Sequence, residues 1–200
     1  MQKEEILKSL IHENHFVIYH MPGTKVIRII SSSSLLKVTD LNELTVCSKG
    51  FIFAPFYIDE FPTYILTNSK SWELPYVETV QSTSGNESFS FPDPSYQSTF
   101  KKFHDKVTAG DFSKLVLART KDITTDVNPI ELFWNTCQRY PNAMVYLFQS
   151  KEAGTWLGAT PELLLEGDAV QMHTVALAGT MKCVNGTIPK LSDWSEKNKK

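Results

Sequence analysis

Cysteine is scarce in this 200-residue chain. Its three cysteines, Cys47, Cys137 and Cys183, lie far apart and form no C-x-x-C pair. That argues against a disulfide framework and against a zinc site. A basic excess is missing too: 20 Lys+Arg stand against 22 Asp+Glu, a net charge of −2. The electrostatic case for a dedicated nucleic-acid binder is therefore absent. No apolar run approaches the ~18 residues that a membrane helix requires. The opening Met1-Gln2-Lys3-Glu4-Glu5 carries acids where a secretory leader would be basic and then apolar, so a cytoplasmic location is expected. No internal repeat is visible. What is present is ordinary globular composition, 42% hydrophobic, 21% charged and 12% aromatic. It excludes a disordered or fibrous chain and suffices for one large domain or two small ones.

Local patterns divide the chain. Ile6, Leu7, Leu10 and Ile11 recur at helical spacing, which predicts a short helix over the first 14 or so residues. The β-branched and aromatic run at 15–20 reads as a strand, Met21-Pro22-Gly23 as a turn, and 25–30 as the partner strand. The serines at 31–34 read as a loop or irregular edge. Residues 45–56 and 63–66 predict further strands, so 1–80 reads as a β-rich N-terminal subdomain. Residues 81–94 are dominated by Ser, Gly, Asn and Pro and read as a linker or surface loop. From 95 on the pattern predicts a helix to 109 stopped by Gly110, a strand at 114–119, and a helix opened by Asn128-Pro129. Strands follow at 144–148, 155–157 and 170–178. Residues 193–200 look like the start of a helix that stops without a cap, so the 95–200 domain is expected to be truncated.

Several residues carry both a functional and an ordinary reading. His12, His15 and His20 span a helix-to-strand boundary, so a shared metal is not expected of them. Lys114 opens an apolar strand, where a lysine is ordinarily solvated. Glu162, in Gly158-Ala159-Thr160-Pro161-Glu162-Leu163, sits beside a proline turn and is ordinarily a cap. The Ala178-Gly179-Thr180 step permits close backbone approach to a ligand but equally suits a turn.

In order and spacing, three segments together are more informative than any one. Lys114-Leu-Val-Leu-Ala-Arg119, Leu157-Gly-Ala-Thr-Pro-Glu-Leu163 and Ala176-Leu-Ala-Gly-Thr180 resemble the chorismate-utilising enzymes. That family includes isochorismate, salicylate, anthranilate and aminodeoxychorismate synthases, and the resemblance runs from about residue 96 to 200. It implies an α+β fold of two similar halves, with large antiparallel sheets and helices packed outside. It also implies chorismate as the small-molecule substrate. The end, Ser195-Glu196-Lys197-Asn198-Lys199-Lys200, resembles the family's Ser-x-Lys-Asn-x-x-Glu up to the residue before the magnesium-binding glutamate. The resemblance thus implies a Mg2+ cofactor whose ligands are expected beyond residue 200, with no metal ligand among the residues given. On that expectation the 200 residues alone are inactive and expose apolar sheet that promotes self-association.

Two positions separate the family's branches. Isochorismate and salicylate synthases resemble this chain in having lysine at 114, a general base that activates water; anthranilate synthases typically lack it. Aminodeoxychorismate synthases carry an attacking lysine where this chain has Ala178. Lysine at 114 with alanine at 178 implies water as nucleophile, adding at ring carbon 2 while the carbon 4 hydroxyl leaves. Lys114 takes the water proton, Glu162 protonates the departing hydroxyl, and Ala178, Gly179 and Thr180 resemble the substrate contacts. The pair lies 48 positions apart in the chain, so only the tertiary fold can place them about one substrate. The expectation is an isochorismate synthase serving menaquinone or siderophore synthesis. A salicylate synthase or anthranilate synthase-like enzyme remains open, as does a non-catalytic half-domain that only folds or assembles.

Overall fold

The computed structural model describes residues 3–10, 12–40, 43, 50–67, 70–77, 94–118, 120, 122–175, 187 and 190. In chain order the elements begin with α1 (Lys3–Leu10), β1 (His15–His20), β2 (Val26–Ser32), β3 (Leu36–Val38), β4 (Gly50–Phe53), β5 (Thr63–Thr67) and β6 (Lys70–Pro75). They continue with α2 (Pro94–Thr108), α3 (Pro129–Arg139), β7 (Met144–Ser150), β8 (Gly154–Thr160), β9 (Glu166–Gly167) and β10 (Met172–His173). The architecture is α+β, with antiparallel sheets and few helices. Two compact units form, Met1–Val80 with Asn128–Lys200, and Gln81–Val127.

The first unit is built on a five-stranded antiparallel sheet of order β6-β2-β1-β7-β8. Strands from residues 15–75 and from 144–160 thus share one sheet. Turns of positive-φ glycine join neighbours: Gly23 (φ 74°) between β1 and β2, and Gly154 (φ 79°) between β7 and β8. The register sets Phe16 opposite Ser31 and Gln149, and His20 opposite Ile27 and Val145.

Both faces of this sheet are covered, which is why β1 reads as an unbroken apolar run instead of an alternation. On one face Ile6 and Leu10 of α1 and Phe133 and Cys137 of α3 pack on Phe16, Ile18, Ile29 and Leu147. On the other, Leu66 of β5 packs with Val17, Ile30 and Phe148. That cover is a three-stranded sheet of order β3-β5-β4, whose Phe53 ring stacks on Phe148 at 4.4 Å.

Helix α3 forms where its caps demand. Asn128 Oδ1 accepts the Ile130 N–H at 2.8 Å, Pro129 fills a position whose N–H has no helical partner, and Glu131 and Arg139 complement the helix dipole. Burial pushes the Cys137 thiol up to about 12, so it stays protonated and packs as a small apolar group. In the second unit, α2 ends at Thr108, two residues before Gly110 (φ 83°), as the glycine stop predicts.

Three expectations change, and one strand is new. The serine run is not all loop: Ser31 and Ser32 extend β2 and are buried. The hydrogen bonds of that ladder come from the backbone, so small polar side chains do not end it. Residues 114–118 form no strand. Leu115 and Leu117 are half-buried while Lys114, Val116 and Ala118 are exposed, so the period-two alternation is there. The partner strand that would pair the backbone is not found among the described residues. Among the described residues the strand expected at 170–178 is represented by β10, paired there with the two residues of β9, and 176–178 lie outside the described residues. Strand β6, unread in the sequence, pairs with β2; its Glu73 bonds Arg28 at 3.0 Å across the ladder. The 81–93 stretch and the expected terminal helix lie outside the described residues, as do Cys47 and Cys183.

Candidate active site

Strand β8 delivers Glu162. Its ladder with β7 runs to the Met144–Thr160 pair, and Pro161, which has no N–H, cannot continue it. The chain turns there, and Thr160 Oγ1 accepts the Glu162 N–H at 3.1 Å. The capping oxygen is therefore the threonine hydroxyl. The Glu162 carboxylate is exposed and makes no hydrogen bond or ion pair among the described residues. The ordinary reading of Glu162 as a cap finds no hydrogen bond to rest on.

The following residues fold back on the same end of the strand. Asp168 Oδ1 accepts the N–H groups of Val170 and Gln171 at 2.8 and 2.9 Å, closing the turn between β9 and β10. Those two bonds hold its carboxyl below the usual carboxylate range. The returning chain then meets the Glu162 segment. The Val175 N–H donates to the Leu163 carbonyl at 3.2 Å, and Thr174 Oγ1 donates to the Leu164 carbonyl at 2.7 Å. Thr160, Glu162, Leu163, Leu164, Thr174 and Val175 line a cavity of about 360 Å³. A carboxylate at the lip of a small, partly apolar cavity can donate or accept a proton once a substrate displaces water.

Lys114 lies in the second unit and Glu162 in the first. Lys114 is exposed, in a segment without regular structure. Ala178, Gly179 and Thr180 lie outside the described residues. His15 and His20 are buried on opposite faces of β1, with His15 Nδ1 3.3 Å from the Glu152 carboxylate and His20 Nε2 2.9 Å from the Thr24 carbonyl. Thr160 and Thr174 were not among the expected site residues. A threonine directly before Pro-Glu was a legible turn signal; nothing in sequence marks a hydroxyl that reaches ten residues back.

Gly158, inside the same motif, has a packing reason. A Cβ there would lie 2.5 Å from the Tyr146 ring, across the β7–β8 pair. Tyr146 is half-buried, with the Phe51 and Phe53 rings 6.4 Å away, and its ring must shift to admit a methyl group. Gly158→Ala is expected to lower unfolding free energy by about 1–3 kcal/mol, the usual cost of overpacking. Urea titration measures it, and adding Tyr146→Val should recover part of the loss.

Among the described residues no helix is long and apolar enough to cross a membrane. The model of the chorismate binding enzyme family matches residues 66–187, more than half of the chain. That span includes Lys114, Glu162 and the Ala178-Gly179-Thr180 step. No curated protein and no solved structure matches the chain.

Proposed function

The chain belongs to the chorismate-binding enzymes, and from that premise we propose that it works in an isochorismate synthase, in the cytoplasm, for menaquinone or siderophore supply. The observation that carries this is the combination of Lys114 with Ala178: a base for water is present, and the covalent lysine of the aminodeoxychorismate branch is replaced by a methyl group. Glu162, held out on its turn beside the cavity, supports the acid role.

In the proposed reaction Lys114 accepts a proton from water as the water oxygen bonds to ring carbon 2. The ring double bonds shift, and the carbon 4–oxygen bond breaks. Glu162 donates its proton to the departing hydroxyl, so one water enters and one leaves. Ala178, Gly179 and Thr180 are the proposed substrate contacts. Among the described residues no three His, Cys, Asp or Glu side chains gather into a group that could hold a metal ion. By the resemblance of residues 195–200 to the family's magnesium segment, the magnesium proposed for the substrate carboxylate is assigned to ligands beyond residue 200, and the proton transfers belong to the chain's own side chains.

The test is product identity. Full-length enzyme given chorismate and magnesium should release isochorismate. Salicylate with pyruvate would move the protein to the salicylate synthase branch. Anthranilate made only with ammonia would remove Lys114 as base, and chorismate left unchanged would favour a non-catalytic module. The 200 residues alone should self-associate, because Leu164, Leu165, Val170 and Met172 stand exposed around the site. A monomer in sedimentation at high concentration would refute that.

A further inference from the structure

Among the described residues, little packing holds the segment that carries Glu162; Leu163 is half-buried and its neighbours are exposed. Residues 161–165 form no regular element, and Leu164 and Leu165 are 88% and 61% exposed. Its shape depends on hydrogen bonds at its two ends. Thr160 closes the turn at the start, and the Leu163 and Leu164 carbonyls bond Val175 and Thr174 at the finish. The shortest of the three is the hydroxyl bond from Thr174, at 2.7 Å. Thr174 lies just past β10, outside the β9–β10 ladder, so this contact is made by a side chain where a strand would use its backbone.

We propose that Thr174 is a positioning residue for Glu162: its hydroxyl ties the acid-bearing segment to the stretch that continues, four residues on, into Ala178-Gly179-Thr180. This rests on the reading of Glu162 as the acid. A hydroxyl carried on Cβ is set by a single side-chain torsion, χ1, so a bond from it fixes the neighbouring backbone more tightly than a long, flexible donor would. The same two threonines line the cavity with Glu162, so slack at Thr174 translates into displacement of the carboxyl. Leu164 is an exposed residue, so its carbonyl is expected to turn to water when the hydroxyl is removed, and the fold should lose little. What is lost is alignment, and a shift of about 1 Å at a reacting group costs up to ~10²-fold in rate.

In full-length enzyme, Thr174→Val keeps the shape and removes the donor, while Thr174→Ser keeps the donor. Thr174→Val should lower kcat by about 10- to 100-fold with KM for chorismate within about threefold and an unchanged urea midpoint. Thr174→Ser should restore most of kcat. Because Thr174 acts through Glu162, Thr174→Val should lower kcat no further in a Glu162→Gln background. Wild-type kcat for Thr174→Val beside an inactive Glu162→Gln would overturn the clamp alone. So would equal losses for the valine and serine variants, or additive effects in the double variant. Glu162→Gln at wild-type turnover would overturn the acid assignment, and with it this inference. A wild-type product other than isochorismate would overturn the branch assignment while leaving the kcat comparison readable.

Discussion

Replacing Lys114 by alanine in the complete enzyme is expected to lower turnover by about 10²–10⁴-fold, the usual worth of a positioned acid or base. Water is a poor nucleophile until a proton is removed from it, and in this proposal no other described side chain is assigned to remove it. Chorismate and magnesium should still bind, since the groups that hold the substrate carboxylates are proposed elsewhere. The fold should hardly notice. Lys114 is exposed in a segment without regular structure, and surface substitutions of that kind usually stay within about ±0.5 kcal/mol. Steady-state kinetics together with urea titration therefore separate the roles cleanly. A solvated lysine of no function gives a variant with native rate and native stability. Turnover within about threefold of wild type, far short of an acid–base effect, would remove the water-activation chemistry and with it the choice of branch.

Glu162→Gln is expected to lose about 10²–10⁴-fold as well. The amide keeps the shape of the side chain and cannot give up a proton to the departing hydroxyl. The structure sharpens this prediction, because the turn is capped by Thr160 and the carboxylate itself makes no hydrogen bond among the described residues. Loss of the charge therefore leaves the local hydrogen bonds in place, and unfolding free energy should move by no more than about 0.5 kcal/mol. If stability falls instead of rate, Glu162 is structural after all. Measuring both variants against isochorismate as well as chorismate adds a check: the two directions share one equilibrium, so each variant must slow both.

Much of this molecule is legible in its sequence. The runs at 15–20, 63–66 and 144–148 became β1, β5 and β7 because β-branched and aromatic residues favour a pleated, packed surface. Asn128-Pro129 opened α3, and Gly110 closed α2, because caps and positive φ are satisfied within a few residues. The family, too, was readable from three short segments. Strand pairing was not readable. That β1 sits between β2 and β7, more than a hundred residues later in the chain, is decided by which apolar faces cover one another. The same rule let β2 run through Ser31 and Ser32, where backbone partners outweigh side-chain preference. It left 114–118 with a strand's alternation and no strand among the described residues, since a ladder needs two chains. The acid's surroundings followed suit. The sequence by itself determined that a carboxylate follows Thr-Pro at the end of a strand. Only the tertiary structure decided that Thr174, returning from a hairpin, bonds the backbone beside it, because a hydrogen bond between residues ten apart leaves no periodic trace in the chain.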